Sequence, residues 1–195
     1  MSPPDSELSR IASALAARTP TPAPRDEPFY EAAVALVLHP GDEGLETLFI
    51  KRATRESDPW SGQIALPGGR RNPDEGSLLL TAVRETLEEI GVDLDATGTL
   101  LGELDELRPR TPVLPPIIVR PYVFAVAERP PVALSEEVAE VFWVPLREVY
   151  DPERRQEITI HFPGIHTKRS AIGIGEHVIW GMTEHILRTL EGVMR

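Results

Sequence analysis

Cysteine is missing altogether from the 195 residues. Its absence excludes disulfides, thiolate metal sites and cysteine nucleophiles. Long apolar runs are missing too. Nothing approaches the ~18 residues that a transmembrane helix needs, so no membrane span is expected. The stretch MSPPDSELSR carries acids and prolines but no apolar h-region, so no secretory signal is expected there. These features together point to the cytoplasm. Basic residues are scarce: 20 Lys and Arg stand against 31 Asp and Glu, for a net charge of −11. Nucleic-acid polymers need a basic footprint, so they are excluded as partners. A small phosphate ligand is not excluded, because it needs only a local site or a metal. No internal repeat is visible, and the length suits one domain with a real core.

What is present reads as alternating strands and helices. Residues 6–18 have Leu8, Ile11 and Leu15 at helical spacing. A linker with four prolines between Pro20 and Pro28 follows and should be extended. We therefore expect residues 1–28 to form a helix and linker ahead of a domain over 29–195. AAVALVLHP (32–40) is long enough for a buried strand, GDEG turns the chain, and ETLFIKR (46–52) returns as a second strand. IALPGG (64–69) is a short strand running into a glycine turn. A helix is expected over 77–90, stopped by Gly91. Strands are expected at TGTLLGELDEL, 117–128 and 137–146, with a loop over 108–116 carrying Arg108 and Arg110. HVIWGMTEHILRTLEGVM reads as a closing helix with Ile179, Met182, Ile186 and Leu190 on one side. The expected class is α/β, a sandwich with a mixed sheet. The sequence leaves a homodimer open.

The helix over 77–90 holds an oddity. At about 100° per residue, Leu79, Val83, Leu87 and Ile90 fall on one face, read here as the anchor. Glu85, Glu88 and Glu89 fall opposite, in the last turns, where the helix dipole disfavours acids by roughly 0.3–1 kcal/mol each. Like charges one turn apart cost a further ~0.2–0.5 kcal/mol per pair. A solvated acidic face is the usual meaning of such a run. A divalent cation would reverse the sign of both terms, and clustered carboxylates suit Mg²⁺ or Mn²⁺. Arg84 lies one turn below Glu88 and can pair with it. Just upstream, Gly68-Gly69 lets backbone pass close to something, and Arg70 and Arg71 could hold phosphate.

The stretch GGRRNPDEGSLLLTAVRETLEEIGV (68–92) resembles the Nudix box. That pattern is a glycine, five residues, a glutamate, seven residues, then Arg-Glu-hydrophobic-any-Glu-Glu-any-Gly-hydrophobic. Gly69 and Glu75 match its first spacing. Arg84, Glu85, Glu88, Glu89, Gly91 and Val92 match its second half. Eight residues rather than seven separate Glu75 from Arg84, and Thr86 replaces the usual aliphatic residue. The longer spacing, GQIALPGG before the box and IWGMTEHIL (179–187) are similar to the coenzyme A pyrophosphatase branch. RATRESDPWSGQ supplies that branch's arginines as Arg52 and Arg55, with Pro59-Trp60 near where it has a histidine.

The resemblance implies a Nudix-type α/β/α sandwich and a metal-dependent pyrophosphohydrolase of a small nucleotide substrate. Glu85 and Glu89 would be the principal ligands of Mg²⁺ or Mn²⁺. Glu88 would be a further or water-mediated ligand, and the Gly68 carbonyl would complete the shell. Arg84 would orient the carboxylates. The general base varies within the family. A box glutamate or Glu137 fits, with Glu136 and Glu140 as neighbours. By charge, Arg52, Arg55, Arg70 and Arg71 are the expected phosphate contacts, and Trp60 is read either as stacking on a base or covering a pocket, or as core or rim packing. Coenzyme A is the implied substrate. ADP-ribose, a modified nucleoside triphosphate or a non-catalytic nucleotide sensor are the alternatives. His161, His166 and His177 lack metal-ligand spacing and are read as structural or exposed.

Overall fold

A computed structural model describes residues 4–55, 60–109, 115–162 and 165–195. In chain order it runs helix α1 (Pro4–Ala16), strands β1 (Tyr30–Gly41), β2 (Gly44–Arg52), β3 (Ile64–Ala65) and β4 (Gly68–Arg70), then helices α2 (Leu78–Ile90) and α3 (Leu94–Thr97). Strands β5 (Gly98–Glu103), β6 (Ile117–Val126) and β7 (Val138–Pro145) follow, then the short helix α4 (Leu146–Val149). Strands β8 (Arg155–Phe162), β9 (Ile165–Ile174) and β10 (His177–Trp180) lead into helix α5 (Met182–Met194).

The apolar run of β1 makes it a central strand, buried on both faces. β2 and β4 pair with it antiparallel, and β6 pairs with it parallel along its length, so the sheet is mixed. β3 and β7 extend the sheet from β2, and β5 borders β6. Alternation along β1 divides the core in two. Ala33, Ala35 and Val37 face α2, packing with Leu78, Ala82, Val83 and Ile90. Leu36 and Leu38 face the other layer, with Ile11 and Leu15 of α1 and Ile186, Leu187 and Leu190 of α5. Each large apolar side chain so buried contributes roughly 1.5–3 kcal/mol.

The expected mixed α/β sandwich is present, with two differences. The first lies past residue 150, where β8, β9 and β10 form a second, antiparallel sheet. The stretch expected to open the closing helix is β10, so Ile179 packs from a strand and the helix starts at Met182. Gly181, at φ 70° and ψ −133°, breaks the chain between them, a conformation only glycine takes readily. The second difference is in α2. Ser77 caps it and Gly91 ends it in the left-handed region, as expected. Its rotation is not as expected: Leu87 is 46% exposed, whereas Glu89 is only 5% exposed. The buried stripe is made largely of small residues, with Thr81, Ala82 and Thr86 fully enclosed, and this lets the helix approach Ala33 and Ala35 closely.

The N-terminal segment packs onto this core. The Ala23 amide donates to Glu106 at 2.9 Å, and Arg25 pairs with the same carboxylate at 2.8 Å. Arg108 is turned into the linker, where it holds the Pro24 carbonyl, Asp26 and Glu27. Arg110 lies outside the described residues.

Candidate active site at the end of the acidic helix

Glu75 fastens the turn before α2 to the helix itself. Its carboxylate accepts from the Asn72 amide at 2.8 Å, the Thr81 hydroxyl at 2.7 Å and Arg84 Nε at 2.6 Å. Burial pushes its pKa up, but these donors outweigh burial and hold it at about 2. Arg84 is a hub. Besides Glu75 it pairs with Glu85 at 2.9 Å and with Glu88 at 2.7 Å, the expected one-turn pair, and donates to the Arg70 carbonyl at 3.0 Å.

The glycines set the distance between β4 and the helix. A Cβ on Gly69 would lie 2.4 Å from the Glu85 carboxyl carbon, and one on Gly68 would lie 2.3 Å from the Ala33 carbonyl oxygen. The Gly68 amide donates to Glu89 at 2.9 Å. The sequence suggested a Gly68 carbonyl ligand, so its amide contact with a carboxylate is a further feature of the site. Burial pushes the Glu89 pKa up to about 7, against the Gly68 hydrogen bond and the charge of Arg52. Burial also raises Glu85, opposed by Arg84. Glu88 is exposed.

The end of α2 also places Glu137. The Ala133 and Ser135 amides donate to the Ile90 and Glu89 carbonyls at 2.8 and 2.9 Å, satisfying part of the helix terminus. Two residues on, Glu137 accepts the Ala53 amide on its carbonyl and pairs with Arg55 at 3.3 Å. Arg52, Arg55 and Glu137 thus lie on the Glu89 side of the helix. The other two arginines diverge from them. Arg71 is committed to Glu31 at 2.6 Å and to the Glu75 carbonyl. Arg70 stacks over Tyr30 at 4.6 Å.

Among the described residues no three His, Asp or Glu side chains stand gathered as a ready metal cage. The donors nonetheless fit a hard divalent ion. Two carboxylates one turn apart, one of them almost fully buried against a single backbone amide, make an electrostatic deficit that oxygen-preferring cations offset. Sequence reasoning missed the anchoring role of Glu75, whose fixed distance from Arg84 was the available signal. It also missed the burial of Glu89.

The sequence and the fold are similar to those of known proteins. The NUDIX domain matches residues 29–162. The chain is 34% identical over 145 residues to the uncharacterized Nudix hydrolase NudL of Yersinia pestis, covering 74% of this chain and 70% of that one. It is 38% identical over 117 residues to an uncharacterized protein of Schizosaccharomyces pombe, covering 58% of this chain and 36% of the yeast protein, about a third of its length. The crystal structure of a MutT/nudix family protein from Enterococcus faecalis is similar in fold, with a TM-score of 0.57 at 19% identity over 99% of this chain and 74% of that one. The helix that carries Glu85, Glu88 and Glu89 lies within the matched span, and the chain belongs to the Nudix hydrolase family.

Proposed function

We propose that this Nudix pyrophosphohydrolase cleaves the diphosphate of coenzyme A or its derivatives, releasing a phosphopantetheine product and adenosine 3′,5′-bisphosphate. The hydrolase reading rests chiefly on one observation: Glu85 and Glu89 of α2 are held against the glycine strand β4, with Glu89 buried. A pure nucleotide sensor has no need of a buried ionisable carboxylate. The choice of coenzyme A is supported by the eight-residue spacing between Glu75 and Arg84 and by IWGMTEHIL (179–187).

In this reading Glu85, Glu88, Glu89 and the Gly68 carbonyl hold Mg²⁺ or Mn²⁺. Such an ion neutralises charge on phosphate oxygens and makes bound water more acidic. Arg84 is a positioning residue: tied to Glu75, it fixes where Glu85 and Glu88 point. Arg52 and Arg55 bind the diphosphate. Arg70 and Arg71, already engaged by protein partners, help as positive charge at the entrance. Water oxygen bonds to one phosphorus, the bridging P–O bond breaks, and the bridging oxygen leaves with the other phosphate. Glu137 accepts the water proton once phosphate draws Arg55 away. We place the enzyme in the cytoplasm.

A substrate panel with Mg²⁺ or Mn²⁺ tests the proposal. Coenzyme A is expected to show higher kcat/KM than ADP-ribose or a modified nucleoside triphosphate. A preference for either of those would redirect the substrate, and a panel with no hydrolysis at all would favour the sensor.

A further inference from the structure

Two of the three tryptophans meet where the sheets meet. Trp60 lies in the turn before β3, and Trp180 ends β10. Their ring centroids are 6.2 Å apart at an interplanar angle of 42°, and both residues are half-buried. Each is held by backbone. The Trp60 carbonyl accepts the Gln63 amide, Gly62 takes φ 71°, and the Gly62 amide returns to the Arg52 carbonyl at 3.2 Å. Trp180 pairs with Ala171 in the second sheet and abuts Gly181, and Thr183 just beyond donates to the Ile64 carbonyl at 3.3 Å. Hydrogen bonds therefore return the Trp60 turn to the end of β2, where Arg52 pairs with Val138 and the Ala53 amide donates to the Glu137 carbonyl, in the segment whose Ser135 amide caps the Glu89 carbonyl of α2.

We infer that Trp60 and Trp180 form a stacking platform for the purine of the substrate, with Arg52 placing the adjoining diphosphate over the acids of α2. The inference rests on the reading of the chain as a nucleotide pyrophosphohydrolase. Indole faces accept any planar heteroaromatic ring, and a neighbouring guanidinium selects rings that carry phosphate. Plain rim packing would also bring two indoles together, but it would not couple them to ligand binding. The remaining tryptophan, Trp143, lies beside His39 and Arg129 and serves as an internal reference.

The test is equilibrium binding in EDTA, which needs no turnover. ADP and inorganic pyrophosphate are titrated by calorimetry, with tryptophan fluorescence alongside. ADP is expected to bind more tightly than pyrophosphate and to quench emission. Trp60→Leu and Trp180→Leu are each expected to weaken ADP about 10-fold while leaving pyrophosphate within twofold, with Trp180→Phe restoring most of the loss. In turnover, KM for a purine substrate rises about as much and kcat changes by less than twofold. ADP binding unchanged in both Leu variants overturns the platform, as does an equal loss of ADP and pyrophosphate, which marks a structural role. If wild type hydrolyses nothing yet the binding results hold, the hydrolase reading fails and the platform stands.

Discussion

Replacing Glu89 with Gln tests the electrostatics of the site without reference to any substrate. The carboxylate is 5% exposed, and its pKa rises from an ordinary 4.5 to about 7, chiefly through burial. At about 1.4 kcal/mol per pH unit, ionising it inside the fold costs about 3 kcal/mol. The sign follows from proton uptake. Between pH 4.5 and 7 the folded state holds this proton more tightly than the unfolded chain, so stability is full below pH 4.5 and falls as pH rises towards 7. Glutamine has the same shape and keeps an oxygen for the Gly68 amide, but its buried NH₂ lacks a partner at a cost of roughly 1–2 kcal/mol. Glu89→Gln should therefore be more stable than wild type by about 1–2 kcal/mol at pH 8 and less stable by a similar amount near pH 4.5. Urea unfolding in EDTA at both pH values, with unchanged m, measures the crossing. Mn²⁺ added at pH 8 should stabilise wild type and leave the variant unmoved. A stability difference that is the same at both pH values would refute the burial argument.

Three further outcomes follow from the same geometry. Gly69→Ala places a methyl where the Glu85 carboxyl sits, so metal-dependent turnover should fall roughly 100-fold while far-UV dichroism is unchanged. Glu75→Gln should remove the acid-range stability that wild type loses between about pH 4.5 and 2, and should destabilise the protein by about 2 kcal/mol at pH 7, read from urea melts. Leu87→Gln should stay within about 0.5 kcal/mol of wild type because the side chain is exposed, whereas Ile90→Ala should cost about 2–4 kcal/mol.

These last two sites show how far the sequence could be read. The strands 30–41 and 44–52 and the limits of α2 were legible because long apolar runs, a turn and Gly91 mark them. The phase of α2 was not. Counting leucines placed Leu87 inside and Glu89 outside, while the true contact stripe uses Ala82, Thr81 and Thr86, which carry little hydrophobic signal but permit close approach to Ala33 and Ala35. The Nudix box singled out the three acids, but not that Glu89 is buried. The second sheet was missed because RQEITIHF alternates weakly and because IWGMTEHIL runs on into helical periodicity. A signal was available in Gly175-Glu176, a two-residue turn with Gly175 at φ 57° joining β9 to β10. The arginines of the site were readable only as charge. Their division into Arg52 and Arg55 on one side and Arg70 and Arg71 on the other depends on tertiary contacts that no local pattern encodes, such as Glu137 for Arg55, Glu31 for Arg71 and the Tyr30 ring for Arg70.

The most direct test is the steady-state hydrolysis of coenzyme A with Mg²⁺ or Mn²⁺ by wild type, Glu85→Gln and Glu89→Gln, each variant shown to be folded. Wild type is expected to show metal-dependent cleavage to a phosphopantetheine product and adenosine 3′,5′-bisphosphate, and either variant a loss of roughly 100-fold or more. Near-normal turnover in both variants would contradict this expectation.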